Sequence, residues 1–132
     1  MAENQEIVFK LSMFEQQIQQ LQQQYEAVER GLIELQSLHL NLDEIPNSID
    51  KEIFAQIGKG IYVKAKIISD KLIVNVGENN FVNRDVPEAK KLIEEQIKKL
   101  NSIKTELEDN IELTNKEFAK LIEEYRKSQS QI

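Results

Sequence analysis

The chain has 132 residues, 40% hydrophobic, 30% charged and only 6% aromatic, with a net charge of −6 and no cysteine. That balance suits long solvated helices better than a compact globular core, and the length suffices for one ordinary domain. It excludes a disulfide framework and thiol chemistry, and the acidic charge disfavours nucleic acid and membrane surfaces, both of which call for clustered Lys and Arg.

The opening "MAENQEIVFK" is polar and acidic, unlike a signal peptide, and no run approaches the roughly 18 apolar residues of a membrane span. A cytoplasmic chain is expected. The first element, residues 5–44, reads as one helix. Steps of three and four give the seam Ile7, Leu11, Phe14, Ile18, Leu21, Tyr25, Val28, Leu32, Leu35, His39 and Leu42, apolar or aromatic at every position but His39. Gly31 is its weak link, costing about 1 kcal/mol against alanine. "DEIPNS" ends this helix, because Pro46 lacks an N–H and pushes Ile45 away from the right-handed helical region.

Residues 45–85 break the pattern with β-branched residues and glycines. "EIFAQI" leads into Gly58-Lys59-Gly60, "IYVKAKI" alternates, "KLIVNV" follows a Ser69-Asp70 turn, and "NFVNR" follows Gly77-Glu78-Asn79. The expectation is two successive β-hairpins, with Gly58, Gly60 and Gly77 supplying positive φ angles. Isolated hairpins are marginal in water and their open edges invite pairing with other chains. The island is therefore expected to join subunits. Its assembly residues are Gly58, Gly60, Ile61, Tyr62, Val63, Ala65, Ile67, Leu72, Ile73, Val74, Val76, Gly77, Phe81 and Val82.

Residues 86–128 return to helix. Asp85 is the expected N-cap, with Pro87 in the first turn and Glu88 at the capping-box position. The seam reads Val86, Lys90, Ile93, Ile97, Leu100, Lys104, Leu107, Ile111, Thr114, Phe118, Leu121 and Tyr125, broken at Lys90, Lys104 and Thr114. Two helices of matching length, each with one apolar stripe, fold back on each other as an antiparallel coiled coil. The fold class is α+β, mostly α, and residues 1–132 form a single domain.

Off the seam, large apolar residues of the first helix gather at its free end, at Val8, Phe9 and Met13; on the second helix Ile122 lies beside Phe118, Leu121 and Tyr125. With the seam residues Ile7, Leu11 and Phe14 they make a candidate binding tip, since excess apolar surface marks interaction sites and Met adapts to varied partners. The plainer alternative is that these residues wrap around each other and stop fraying. Leu38, Leu40 and Leu92 are expected to pack near the hairpins or on a neighbouring subunit. His39 is a packing or register residue. Glu94-Glu95 and Glu123-Glu124 are surface ion-pair partners of nearby lysines. "GKG" lacks the spacing of a phosphate loop. No catalytic residue, metal site or cofactor is expected.

The order helix, "GKGIYVKAKI", "LIVNVG", "VPEA" and helix resembles the α-class subunit of prefoldin, above all its archaeal form, over essentially the whole chain. Gly58, Gly60, Tyr62, Val63, Ala65 and Ile67 carry the match in the first hairpin, Leu72, Ile73, Val74, Val76 and Gly77 in the second, and Pro87, Glu88 and Ala89 after it. Val86 departs from the small capping residue more usual before Pro-Glu. The resemblance implies a hexamer of two α-class and four β-class subunits, whose strands build a β-barrel platform. It implies coiled-coil tips that hold unfolded client proteins without ATP and pass them to a group II chaperonin. An alternative of another class is a structural coiled-coil adaptor, oligomerised through the same hairpins.

Overall fold

The computed structural model describes residues 2–130, which form two compact units: one holds the chain up to Leu32 and from Lys99 onward, the other Ile33–Lys98. In chain order the elements are α1 (Ala2–Asn41), two 3-10 turns (Leu42–Glu44 and Pro46–Ser48), β1 (Glu52–Gly58), β2 (Ile61–Lys66), β3 (Leu72–Asn75), β4 (Phe81–Arg84) and α2 (Val86–Ser130).

In the first unit α1 and α2 run antiparallel. Tyr25 Oη donates to Glu108 Oε1 at 3.2 Å, and one turn further on Glu29 Oε1 lies 3.7 Å from Lys104 Nζ, so four residues forward on one helix is four residues back on the other. Near the helix ends Ser128 Oγ donates to Asn4 Oδ1. The expected seam is the buried one: Leu32, Leu107, Thr114 and Leu121 are buried, and Ile7, Leu11, Phe14, Ile18, Leu21, Tyr25, Val28, Leu100, Lys104, Ile111, Phe118 and Tyr125 are half-buried. Two helices can hide only the stripe between them, and no side chain among the described residues is fully sequestered. Lys104, a break in the apolar pattern, reaches Glu29 and stands 5.7 Å from the Tyr25 ring centroid. Thr114 is the one buried polar residue among the described residues.

The second unit has a core of Leu42, Val86, Ala89 and Ile93, with Leu35, Ile45, Leu72 and Ile97 packed against it. Two polar pairs set the helix register here: His39 Nε2 lies 3.0 Å from Glu94 Oε1, and Lys90 Nζ lies 2.8 Å from both carboxylate oxygens of Asp43. Glu94 thus meets the histidine of the opposite helix and not the lysines of its own. Asp85 caps α2, its Oδ1 accepting the N–H of Glu88 at 2.8 Å. The Glu88 carboxylate lies 3.9 Å from Arg84 Nε. Val86 begins α2 buried in the core, which is why an apolar residue stands where a small polar one was the usual choice.

Ile45 departs from expectation. It keeps right-handed helical angles (φ −60°, ψ −47°) in front of Pro46, which starts the second 3-10 turn. Packing of its side chain against the core and its N–H bond to Leu42 O outweigh the steric preference that proline imposes.

The two hairpins are separate antiparallel two-stranded sheets, β1–β2 and β3–β4. In the first, Ile53 pairs with Ala65 and Ala55 with Val63 on one face, while Glu52–Lys66, Phe54–Lys64 and Gln56–Tyr62 share the other; a bulge between Gln56 and Gly58 precedes the turn. Gly60 (φ 72°) and Gly77 (φ 124°) have the expected positive φ, but Gly58 does not: it lies in β1 opposite Ile61. The turn of the second hairpin places Glu78 (φ 51°) and Asn79 (φ 60°) in the left-handed region, the angles of the turn type that matches strand twist.

Candidate functional site

Each unit presents one candidate surface. In the second unit it is the strands. Alternation gives the first hairpin a wholly apolar face of Ile53, Ala55, Val63 and Ala65, continued by Ile61. Within the chain this face remains open, with Ile53, Ile61 and Val63 exposed; Phe54 and Tyr62 are exposed on the opposite face, and Ile57 beside the bulge. The second hairpin is used differently. Leu72, Val74 and Val82 are half-buried, with Leu72 against the helical core, while Ile73 (74% exposed) and Phe81 (62%) lie on the opposite face. β3 borders a groove of about 290 Å³ whose walls include Leu35, Leu38, Leu42, Leu92 and Ile93.

Of the expected assembly residues, Ile61, Tyr62, Val63, Ile73, Val76 and Phe81 are exposed apolar groups, Ala65, Ile67, Leu72, Val74 and Val82 are half-buried, Gly60 and Gly77 shape the turns, and Gly58 ends strand β1. Sequence reasoning passed over Ile53, Phe54, Ile57 and Ile68, all exposed. The alternation in "EIFAQI" was the signal for Ile53 and Ile57.

In the first unit the surface is helical. Val8, Phe9 and Met13 are exposed, Ile7, Leu11, Phe14, Phe118, Ile122 and Tyr125 are half-buried, and Leu121 is buried. A groove of about 610 Å³ has a floor of Met13, Phe14 and Leu121, bordered by Lys10, Gln17, Glu117, Lys120 and Glu124. The structure thus brings together three of the ten expected tip residues. Val8 and Phe9 are exposed outside the groove, and Ile122 is more covered than its off-seam position suggested. The charged border went unanticipated, though Lys10 and Gln17 sit one turn before and after Met13. Apolar exposure in this unit also extends to Ile103 and Leu113 on α2, which a count of off-seam residues on α1 alone could not reach.

The Tyr25 phenol is pushed up to about 12 by its place in the seam between the helices, and further by the carboxylates of Glu29 and Glu108. Among the described residues no group of three or more His, Cys, Asp and Glu side chains could hold a metal ion, and no helix is long and apolar enough to cross a membrane. The chemistry on offer is non-covalent contact between apolar surfaces.

Comparison with known proteins agrees with that geometry. The profile of the family described as "Prefoldin: Prefoldin subunit" matches residues 14–131. The chain is 28% identical over 108 residues to the prefoldin subunit alpha of Methanobrevibacter smithii, covering 81% of this chain and 69% of that one. It is 26% identical over 123 residues to the prefoldin subunit alpha of Methanococcus vannielii, covering 92% and 83%. Among solved structures, the filamentous prefoldin of Methanocaldococcus jannaschii matches with a TM-score of 0.75 at 26% identity, over 91% of this chain and 98% of that one.

Proposed function

The chain belongs to the prefoldin family, a family of chaperones and not of enzymes, and from that premise we propose that it is the α-class subunit of an ATP-independent holdase. Its hairpins pair with those of β-class subunits, two α with four β, into a shared β-barrel. The apolar face of Ile53, Ala55, Val63 and Ala65 turns inward in that barrel, because one face of an antiparallel sheet is buried and the other solvated. The helix ends capture non-native proteins in the cytoplasm and pass them to a group II chaperonin.

The observation that carries this function is the groove over Met13, Phe14 and Leu121, an apolar floor within a ring of both charges. Such a surface fits many unfolded segments and demands none in particular. One groove binds weakly. Several on one body raise the effective concentration for each further contact.

Replacing Phe9, Met13 and Ile122 together by alanine should leave the mass of the assembled complex unchanged and weaken its suppression of light scattering by a denatured client. Suppression equal to the parent's would place client binding elsewhere on the chain. It would favour a structural adaptor with one fixed partner.

A second mode of assembly is favoured by the likeness to the filamentous prefoldin. A chain with two hairpins has open strands on both, so copies of this chain joined only to each other would form a filament. Electron microscopy of the chain purified alone, against the chain with a β-class partner, separates the two modes.

A further inference from the structure

Met13 stands 55% exposed on the floor of the groove in the first unit, with Phe14 and Leu121 as its apolar neighbours. It is one of two methionines in the chain. Accessibility decides which thioethers oxidise, and a sulfoxide turns a flexible apolar side chain into a polar one. Resting on the client-binding role of the same groove, we propose that Met13 is a modification site: a peroxide oxidises its sulfur, and the sulfoxide loosens the groove's hold on clients.

In that step the peroxide O–O bond breaks and an S–O bond forms. The sulfur gives up two electrons, and hydrogen peroxide leaves as water. The new oxygen is a strong hydrogen-bond acceptor. Lys10, three residues before Met13, and Gln17, four after it, line the same groove and lie on the same side of α1. Both carry donors for that oxygen, so the modified side chain is held as a polar group over what was an apolar floor. A sulfoxide-reducing enzyme restores the thioether and the binding surface.

The test treats the assembled complex with hydrogen peroxide, removes the oxidant, and measures how much complex half-suppresses the aggregation of a chemically denatured probe protein. Each protein is compared with its own untreated form. Peptide mass mapping should find one added oxygen at Met13, and the half-suppressing concentration should rise roughly threefold to tenfold for the wild type. It should stay level on treatment of Met13→Leu. Untreated Met13→Gln should show a rise comparable to that of the treated wild type. A rise in Met13→Leu equal to the wild type's overturns the proposal. So does a wild type fully oxidised at Met13 that suppresses as before while Met13→Gln is impaired, and this result leaves the groove's role standing. Met13→Gln working as well as the wild type overturns both.

Discussion

Tyr25 shows what single side chains do in so thin a core. It occupies a seam position, yet its hydroxyl reaches Glu108, and Lys104 lies over its ring and beside Glu29. A slip of one helix past the other would strand these groups, so the cluster favours one alignment where apolar contacts alone would accept several. The cluster also has a pH signature. An unfolded tyrosine ionises near 10, while Tyr25 is pushed up to about 12 in the folded chain. Because the folded value is the higher one, its contribution to stability is whole below pH 10 and is lost as pH rises from about 10 to 12. The melting-temperature gap between the wild type and Tyr25→Phe should therefore hold steady below pH 10 and shrink across that window. A gap that stays constant to pH 12 would mean that Tyr25 ionises as freely as in a peptide. Lysines lose charge over the same range, but they do so in both proteins.

At the scale of elements, the ends of α2 and the turns of the hairpins decide most. The N-terminus of a helix leaves N–H groups without partners, and Asp85 answers one of them, that of Glu88. Asp85→Ala should cost about 1 kcal/mol, read as a lower melting temperature with little change in helical circular dichroism. A drop no larger than that of an exposed control such as Glu117→Ala would show that water replaces the cap without loss. Both the cap and its residue were legible in "DVPEA", as were both seams, because a helix repeats every 3.6 residues whatever its neighbours do. The hairpin turns were legible only in outline. Glycine is the residue that readily takes positive φ, so all three island glycines were expected there, yet Gly58 stays in its strand while Glu78 and Asn79 take up the left-handed angles. A bulge between Gln56 and Gly58 shifts the register, and the pattern of side chains does not announce it.

At the scale of the whole molecule, much of the apolar surface has no cover within the chain. Phe54, Ile57, Ile61, Val63, Ile73 and Phe81 are exposed in the second unit, more than a monomer ordinarily presents on so short a stretch. Val63→Glu puts a charge in the middle of the apolar face shared with Ile53, Ala55 and Ala65. It should abolish assembly with partner subunits while leaving the helical content intact, as sedimentation and circular dichroism would show. A fully assembled Val63→Glu complex would place the subunit contacts on the other face, with Phe54 and Tyr62.

The sequence by itself determined the helix seams and the hairpin order, because each rests on periodicity and turn chemistry that act over a few residues. The tertiary structure decided which apolar residues are spare. Met13 and Ile122 look alike in the pattern, but Met13 lines a groove and Ile122 is half-covered. Lys90 and Lys104, which read as flaws in a seam, are matched by Asp43 from the 3-10 turn after α1 and by Glu29 from α1 itself. Such differences arise only when residues distant in sequence meet, since burial and charge pairing belong to a pair of surfaces and not to either strand of text alone.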